Sequence, residues 1–361
     1  MNVNLKQKLI NGFKIGALVF SVIVISLIFV EFGLRLLWDN PYKNTSPSKV
    51  LELRLPSPSM DTVLDRTWLD PKIPKVRFRT DSNRFLMPSK QFGDPDFTIS
   101  FLGGSTTECS YVQESKRFPG LVSSMLFEEN NLKINILNAG RSGNTLQDSI
   151  NIFFNHMILF KPDYVVLMHA SNDRGILKSD PTYKSRMGSI ASFNRIAKWI
   201  FQSYSRGFYV VGFLRHRITM LINKRNENTL NEKNIDRFDK KGLNQLDPTP
   251  FYQRLKVFVH MARELGVEPI LMTQPLASVR TKFSPEWTDV PDQEVLNRVI
   301  RDVAKEEKVI LIDLSNYMVN NINDYEANMI KYLYDGVHVT DLGSFHYARH
   351  ISDQLKLELM K

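Results

Sequence analysis

After Asp96 the sequence alternates short apolar runs with longer segments that carry one apolar face, and this restricts the fold more than any other feature. The runs at 97–102, 134–137, 164–168, 269–273 and 309–313 read as buried strands. Between and after them, 118–130, 145–160, 251–265, 293–307 and 341–360 read as helices. In the first of these, Phe118, Leu121, Val122, Met125 and Leu126 share a face; the second is closed by Pro162. Strand–helix repetition of this kind implies an α/β fold, a parallel sheet covered on both faces. In such sheets the working site lies beyond the carboxyl ends of the strands.

Three of those strand ends carry chemistry. The first runs into Gly103-Gly104-Ser105-Thr106-Thr107, which places a hydroxyl on a tight turn whose backbone angles glycine tolerates. The second ends in Asn138-Ala139-Gly140-Arg141-Ser142-Gly143, and the third in His169-Ala170-Ser171-Asn172-Asp173. Far downstream, Asp335-Gly336-Val337-His338 sets a carboxylate and an imidazole three residues apart, so one loop can deliver both to one serine. Ser105 is a weak nucleophile until a base takes its proton. His338 supplies the base, and Asp335 orients the imidazole and stabilises its charged form. The oxyanion of a tetrahedral intermediate needs aimed donors. Candidates are the backbone N–H groups of Ser105 and Gly143 and the side-chain amide of Asn172. Taken singly, each motif has a bland reading as a turn or a helix cap; four in order at strand ends or loops do not.

These four blocks resemble those of the SGNH or GDSL hydrolases, in the family's order. Gly103-Gly104-Ser105 matches Gly-Asp-Ser, Gly143 matches the oxyanion-hole glycine, 170–173 match Gly-x-Asn-Asp, and Asp335 to His338 match Asp-x-x-His. The resemblance spans roughly 96–360 without an insertion. It implies a flavodoxin-like three-layer α/β/α domain with catalytic Ser105, Asp335 and His338, and an oxyanion hole of Ser105, Gly143 and Asn172. Two positions depart from the pattern: Gly104 stands where Asp is usual, and Ala170 where Gly is usual. GGST in the first block, with Glu31-Phe32-Gly33-Leu34-Arg35-Leu36-Leu37-Trp38 upstream, resembles the membrane-anchored branch of the family. That branch implies modification of surface polysaccharide or the cell envelope.

The N-terminus is expected to meet a membrane. Ile15 to Val30 contains no charge, and Phe13 to Trp38 has the length of a span if Lys14 and Arg35 reach toward the interfaces. Trp38 suits the outer interface. A cleaved signal peptide is the alternative, but no small-x-small site follows the run. Lys6, Lys8 and Lys14 precede it, while Glu31, Arg35, Asp39 and Lys43 after it cancel. The expected organisation is a cytoplasmic 1–14, an anchor at 15–38, a linker and lead-in at 39–95, and the hydrolase-like domain at 96–361, outside the cytoplasm.

The chain carries a formal net charge of +9, and all of the excess lies between Lys178 and Lys241, where 14 basic residues face 5 acidic ones. This basic stretch, within an insertion at about 178–245, interleaves Trp199, Ile200, Phe201, Phe208, Tyr209 and Phe213 with Arg and Lys. It reads either as a helical subdomain packed on the core or as a surface that meets anionic head groups or an anionic polymer.

Arg141 and Arg174 flank the expected oxyanion hole and are candidates for holding an anionic substrate group. His346 and His350 have metal-compatible spacing but no carboxylate joins them, so no metal and no cofactor is expected. There is no P-loop, no zinc-protease motif and no Gly-x-Ser-x-Gly elbow. The single cysteine, Cys109, reads as a packing residue. The expected function is a serine esterase outside the cytoplasm that removes an acyl group, most simply acetyl, from a carbohydrate or lipid-linked glycan. No nucleic-acid partner is expected. An O-acyltransferase using the same residues and an inactive glycan-binding module are the alternatives.

Overall fold

A computed structural model of the protein describes residues 3–40, 53–179, 183, 204, 207–217, 220, 246–276, 290–323 and 328–360, with backbone alone at 3–13, 179 and 290–291. Most of the basic insertion, including Trp199, Ile200 and Phe201, lies outside the described residues. By its internal contacts the chain divides into two units, Met1–Glu52 with Met187–Gly242, and Leu53–Arg186 with Leu243–Lys361.

The larger unit is built on five parallel strands: β3 (Phe97–Gly103), β4 (Ile134–Asn138), β5 (Tyr164–Met168), β6 (Glu268–Met272) and β7 (Ile310–Ile312). Their order in the sheet is β4-β3-β5-β6-β7. The chain leaves β3 toward one edge and later returns to the other side of it, so the switch point lies between β3 and β5. Side chains alternate across the sheet. Val166 and Met168 join Ile99, Phe101, Ile136, Phe118, Val122, Tyr347 and Ile351 in one core. Val165 and Leu167 join Leu137, Phe153, Phe258, Leu296 and Ile300 in the other. These two apolar layers are covered by α3 (Phe118–Asn130), α9 (Leu314–Asn321) and α10 (Asp341–Leu359) on one face. On the other lie α4 (Leu146–Asn155), α7 (Thr249–Glu264) and α8 (Val290–Glu306). The result is the expected three-layer α/β/α arrangement.

Helix ends follow local chemistry. Thr145 and Asp148 form a reciprocal capping box at the start of α4. Asp313 and Thr340 accept backbone N–H bonds at the starts of α9 and α10. The continuous helix expected over 145–160 is broken: α4 ends at Asn155, His156 leaves helical angles, and Met157–Phe160 forms a 3-10 turn. Sequence periodicity cannot separate these two because their apolar residues face the same core. Two short helices at strand ends, α2 (Ser105–Glu108) and α5 (Ser171–Ser179), also carry no periodic signature.

Within 53–95 an antiparallel pair, β1 (Asp61–Asp65) and β2 (Lys75–Arg79), is followed by Phe85 and Leu86, both buried. Leu86 bridges to Asn138 at the end of β4. Arg117, itself buried, donates to the carbonyls of Met87 and Arg77.

In the smaller unit, α1 (Val3–Leu37) includes the apolar stretch Lys14–Leu37, 24 residues long, with an 18-residue window of mean hydropathy 2.6. Among the described residues it is the one helix long and apolar enough to cross a membrane, a property that signal sequences share. A helix at 209–217, α6, lies in the same unit.

Candidate active site

β3 ends in two glycines because nothing larger fits there. A Cβ on Gly103 would lie 2.2 Å from Thr107 Oγ1 and 2.9 Å from the Met168 carbonyl of the neighbouring strand. A Cβ on Gly104 would lie 2.6 Å from the side-chain nitrogen of Asn172. The chain therefore turns tightly off the sheet, and Ser105 becomes the first residue of α2, where backbone N–H groups have no helical partner.

The Asp335–His338 loop is held by its own backbone. Tyr334 N–H donates to the His338 carbonyl, Leu333 bridges Val339, and Gly336 takes a φ of 90° that favours glycine. Asp335 Oδ1 accepts the N–H groups of Val337 and His338 at 3.0 and 2.9 Å. That leaves Oδ2, which lies 2.6 Å from His338 Nδ1. With its proton on Nδ1, the imidazole presents Nε2 as an acceptor, 2.6 Å from Ser105 Oγ. Burial raises the Asp335 carboxyl, but the bond and charge of His338 and the two backbone donors outweigh it and leave the group below the usual carboxylate range. Asp335 is thus an anion facing the imidazole throughout the neutral range. The Tyr334 ring stacks on His338 at 5.6 Å and 17°, which limits the tilt of the base.

The remaining expected residues converge on the same strand ends. Gly143 has a φ of 75°, a conformation that other residues adopt only under strain. Asn172 Nδ2 donates to the Asn144 carbonyl at 2.7 Å, which ties the β5 end to the loop bearing Gly143. Its amide carries a second hydrogen. Ala170, where glycine is usual in the resembled family, is buried and keeps a negative φ, so its methyl is accommodated by the core. Asp173 is buried and accepts from the Leu146 backbone and the Tyr183 hydroxyl, a supporting role. Arg141 is part-exposed and pairs with Glu108 at 3.6 Å. Arg174 is buried and is not among the residues that line the cavity. His350 stacks on Tyr317 at 4.0 Å, and His346 meets the edge of Tyr332. Among the described residues no cluster of three or more His, Cys, Asp or Glu side chains is arranged to hold a metal ion.

Several residues at the site carry no sequence signature. Glu108, on α2, accepts from the Ser142 backbone at 2.9 Å and from the hydroxyls of Ser142 and Ser110. From the other side, Arg54 donates to Asn144 Oδ1 and to the Ser142 carbonyl. The loop that carries Gly143 is therefore clamped between a buried carboxylate and a guanidinium. Ser105, Asp335 and His338 open onto a cavity of about 430 Å3 whose wall includes Trp68, Tyr111 and Tyr334. Trp68 meets Tyr111 and Tyr334 edge-on at 5.1 and 5.4 Å. Cys109 also touches the cavity, but burial pushes its thiol up to about 12, which keeps it protonated and inert as a nucleophile.

No curated protein sequence matches the chain. Among solved structures it is similar to the lipase/acylhydrolase of Enterococcus faecalis at 18% identity, over 73% of this chain and 96% of that one, with a TM-score of 0.46. It is also similar to an acetylxylan esterase of Geobacillus stearothermophilus at 17% identity, over 73% and 96%, with a TM-score of 0.45. Residues 101–344 match the sequence profile of the family described as GDSL-like lipase/acylhydrolase. That match covers more than half of the chain and takes in every strand end described above. The chain belongs to the GDSL-like lipase/acylhydrolase family of ester hydrolases.

Proposed function

We propose that this protein is a membrane-anchored serine esterase, working outside the cytoplasm, that removes acyl groups, most simply acetyl, from a carbohydrate or lipid-linked glycan. The observation that carries the reading is the continuous hydrogen-bonded chain Ser105–His338–Asp335 opening into a cavity. Ser105 Oγ attacks the ester carbonyl as its proton passes to His338 Nε2. The N–H groups of Ser105 and Gly143 and the Asn172 amide receive the oxyanion. Collapse expels the sugar alkoxide, which takes the proton from His338, and leaves the acyl group on Ser105. Water attacks next, gives its proton to the same nitrogen, and releases the acid while Ser105 regains its hydrogen.

An acylated sugar suits the aromatic wall. Pyranose rings present apolar C–H faces that pack on indole and phenol rings, while their hydroxyls stay in water. Trp68 is 40% exposed at the cavity, available for such a contact. The carbohydrate substrate of the Geobacillus acetylxylan esterase, given by that protein's name, agrees in class. Retention of the anchor is supported by the residues that follow its apolar run. Glu31, Arg35 and Trp38 make contacts with a segment some 170 residues downstream, which a discarded signal peptide would not need.

The test uses the full chain in detergent with a fluorophosphonate probe and an O-acetylated oligosaccharide. Labelling of Ser105 and release of acetate are expected. Ser105→Ala should lose both, with a fall of about 10⁴-fold or more in turnover and an unchanged melting temperature. Hydrolysis retained by Ser105→Ala would sink the assignment. Label on Ser105 with acetyl appearing only on an added sugar acceptor would make the protein an O-acyltransferase instead.

A further inference from the structure

Glu31 is the one carboxylate in the apolar stretch Lys14–Leu37, and an unpartnered carboxylate there would be costly. Both of its oxygens accept backbone N–H groups of the basic insertion. Oε1 accepts the backbone N–H of Tyr209 at 2.9 Å, and Oε2 that of Val210 at 2.8 Å. These are the first two residues of α6. Arg35, one turn further along α1, donates to Glu31 at 2.9 Å and to the Gly207 carbonyl at 2.6 Å. Its guanidinium also lies over the Tyr209 ring at 5.0 Å. Trp38 completes the face at i+7, with its ring 6.1 Å from Tyr209, 5.5 Å from Phe213 and 6.0 Å from His216. The start of α6 is therefore fixed to the outward end of α1, at the depth where tryptophan and arginine mark the membrane–water boundary.

At that depth α6 and the residue just before it expose apolar side chains beside basic ones. Phe208 is 53% and Leu214 48% exposed, and Arg217 lies over the Phe213 ring. In water such exposure is a liability; at a bilayer surface it is the pattern of an interfacial helix. The stretch that contains α6 also holds the chain's entire charge excess, which an anionic lipid surface attracts.

We infer that α6, with Phe208 just before it, is an interfacial segment keyed to the membrane anchor by Glu31 and Arg35, which lays Phe208 and Leu214 among the head groups of the same bilayer and pairs its basic residues with anionic lipid. The inference rests on the anchor reading. The insertion is thereby part of the membrane unit.

The test places a bimane label at Leu214→Cys, or at Ile23→Cys within the span, in the full chain; the native Cys109 is buried and does not compete. Each is reconstituted into phosphatidylcholine vesicles with and without phosphatidylglycerol, carrying nitroxide lipids at shallow or deep positions. The Leu214 label should be quenched by shallow nitroxide, more strongly with phosphatidylglycerol, and the Ile23 label by deep nitroxide. Adding Glu31→Ala should abolish quenching at Leu214 and spare it at Ile23, while Ser105-dependent hydrolysis of p-nitrophenyl acetate reports that the catalytic unit is folded. An unquenched Leu214 label beside a quenched Ile23 label overturns the inference. Equal quenching at Leu214 with and without Glu31 overturns the clamp. An unquenched Ile23 label instead refutes the anchor beneath both.

Discussion

Asn172 does two things at once, and Gly104 is what lets it. Its amide bonds the Asn144 carbonyl while packing against the backbone of the residue before the proposed nucleophile. A side chain at 104 would begin 2.6 Å from that nitrogen and would force the amide to move. Gly104 thus leaves room for the Asn172 amide where it stands. If so, the two positions are energetically coupled. Asn172→Ala is expected to lower kcat by about 10²–10³-fold with little change in KM, the loss of one oxyanion donor. Gly104→Ala should also lower kcat, by displacing the amide, yet cost nothing further in the Asn172→Ala background. A double-mutant cycle on a soluble ester measures this directly; additive losses would show that the glycine serves the turn alone.

At the scale of elements, the strands and the loops at their ends were legible because burial on both faces and tight turns leave strong local marks: apolar runs, paired glycines, Asp-x-x-His. All three expected triad residues and Gly143 and Asn172 meet at one end of the sheet. The lead-in was not legible. β1 is almost wholly exposed, and β2 buries only Val76 and Phe78, an alternation in Lys75-Val76-Arg77-Phe78-Arg79 too short to stand out. What holds this segment is long-range and polar, Arg79 with Glu114 and Arg117 with two lead-in carbonyls, and no local periodicity encodes such pairs. The consequence is functional, because the turn between β1 and β2 delivers Trp68 to the cavity. Trp68→Ala should leave kcat/KM on p-nitrophenyl acetate nearly unchanged and lower it by about 10-fold on an acetylated oligosaccharide, on the scale of one stacked aromatic contact. Equal losses on both substrates would mean that Trp68 only braces Tyr111 and Tyr334.

For the molecule as a whole, the same polar seams make stability depend on pH. Asp341 opens α10, three residues after His338, and joins that helix to two other parts of the unit. It accepts from Gln113 Nε2 at 2.6 Å, from the Gln113 backbone at 3.1 Å and from Arg66 of the lead-in at 3.2 Å. Burial raises its carboxyl, but Gln113 and Arg66 together hold it below the usual carboxylate range. Asp313 is held low in the same way, burial being outweighed by Arg301, Thr273 and the Asn316 backbone. Asp335 makes a third. Because each folded pKa is depressed, the unfolded chain binds more protons over the interval between the two values. The stability these groups contribute is fully present above the unfolded carboxylate pKa of about 4 and is lost as pH falls through the lower folded values. Asp341→Asn keeps the size of the side chain, removes its charge and replaces one of its two acceptor oxygens by a donor amide. It should cost about 1.5–3 kcal/mol at pH 7, the worth of hydrogen bonds to a charged group. The gap between wild type and variant in denaturant unfolding should then narrow as pH falls below about 4 and the wild-type carboxylate is protonated. A gap that stays constant from pH 7 to pH 3 would show that the lost acceptor oxygen, rather than the charge of Asp341, accounts for the cost.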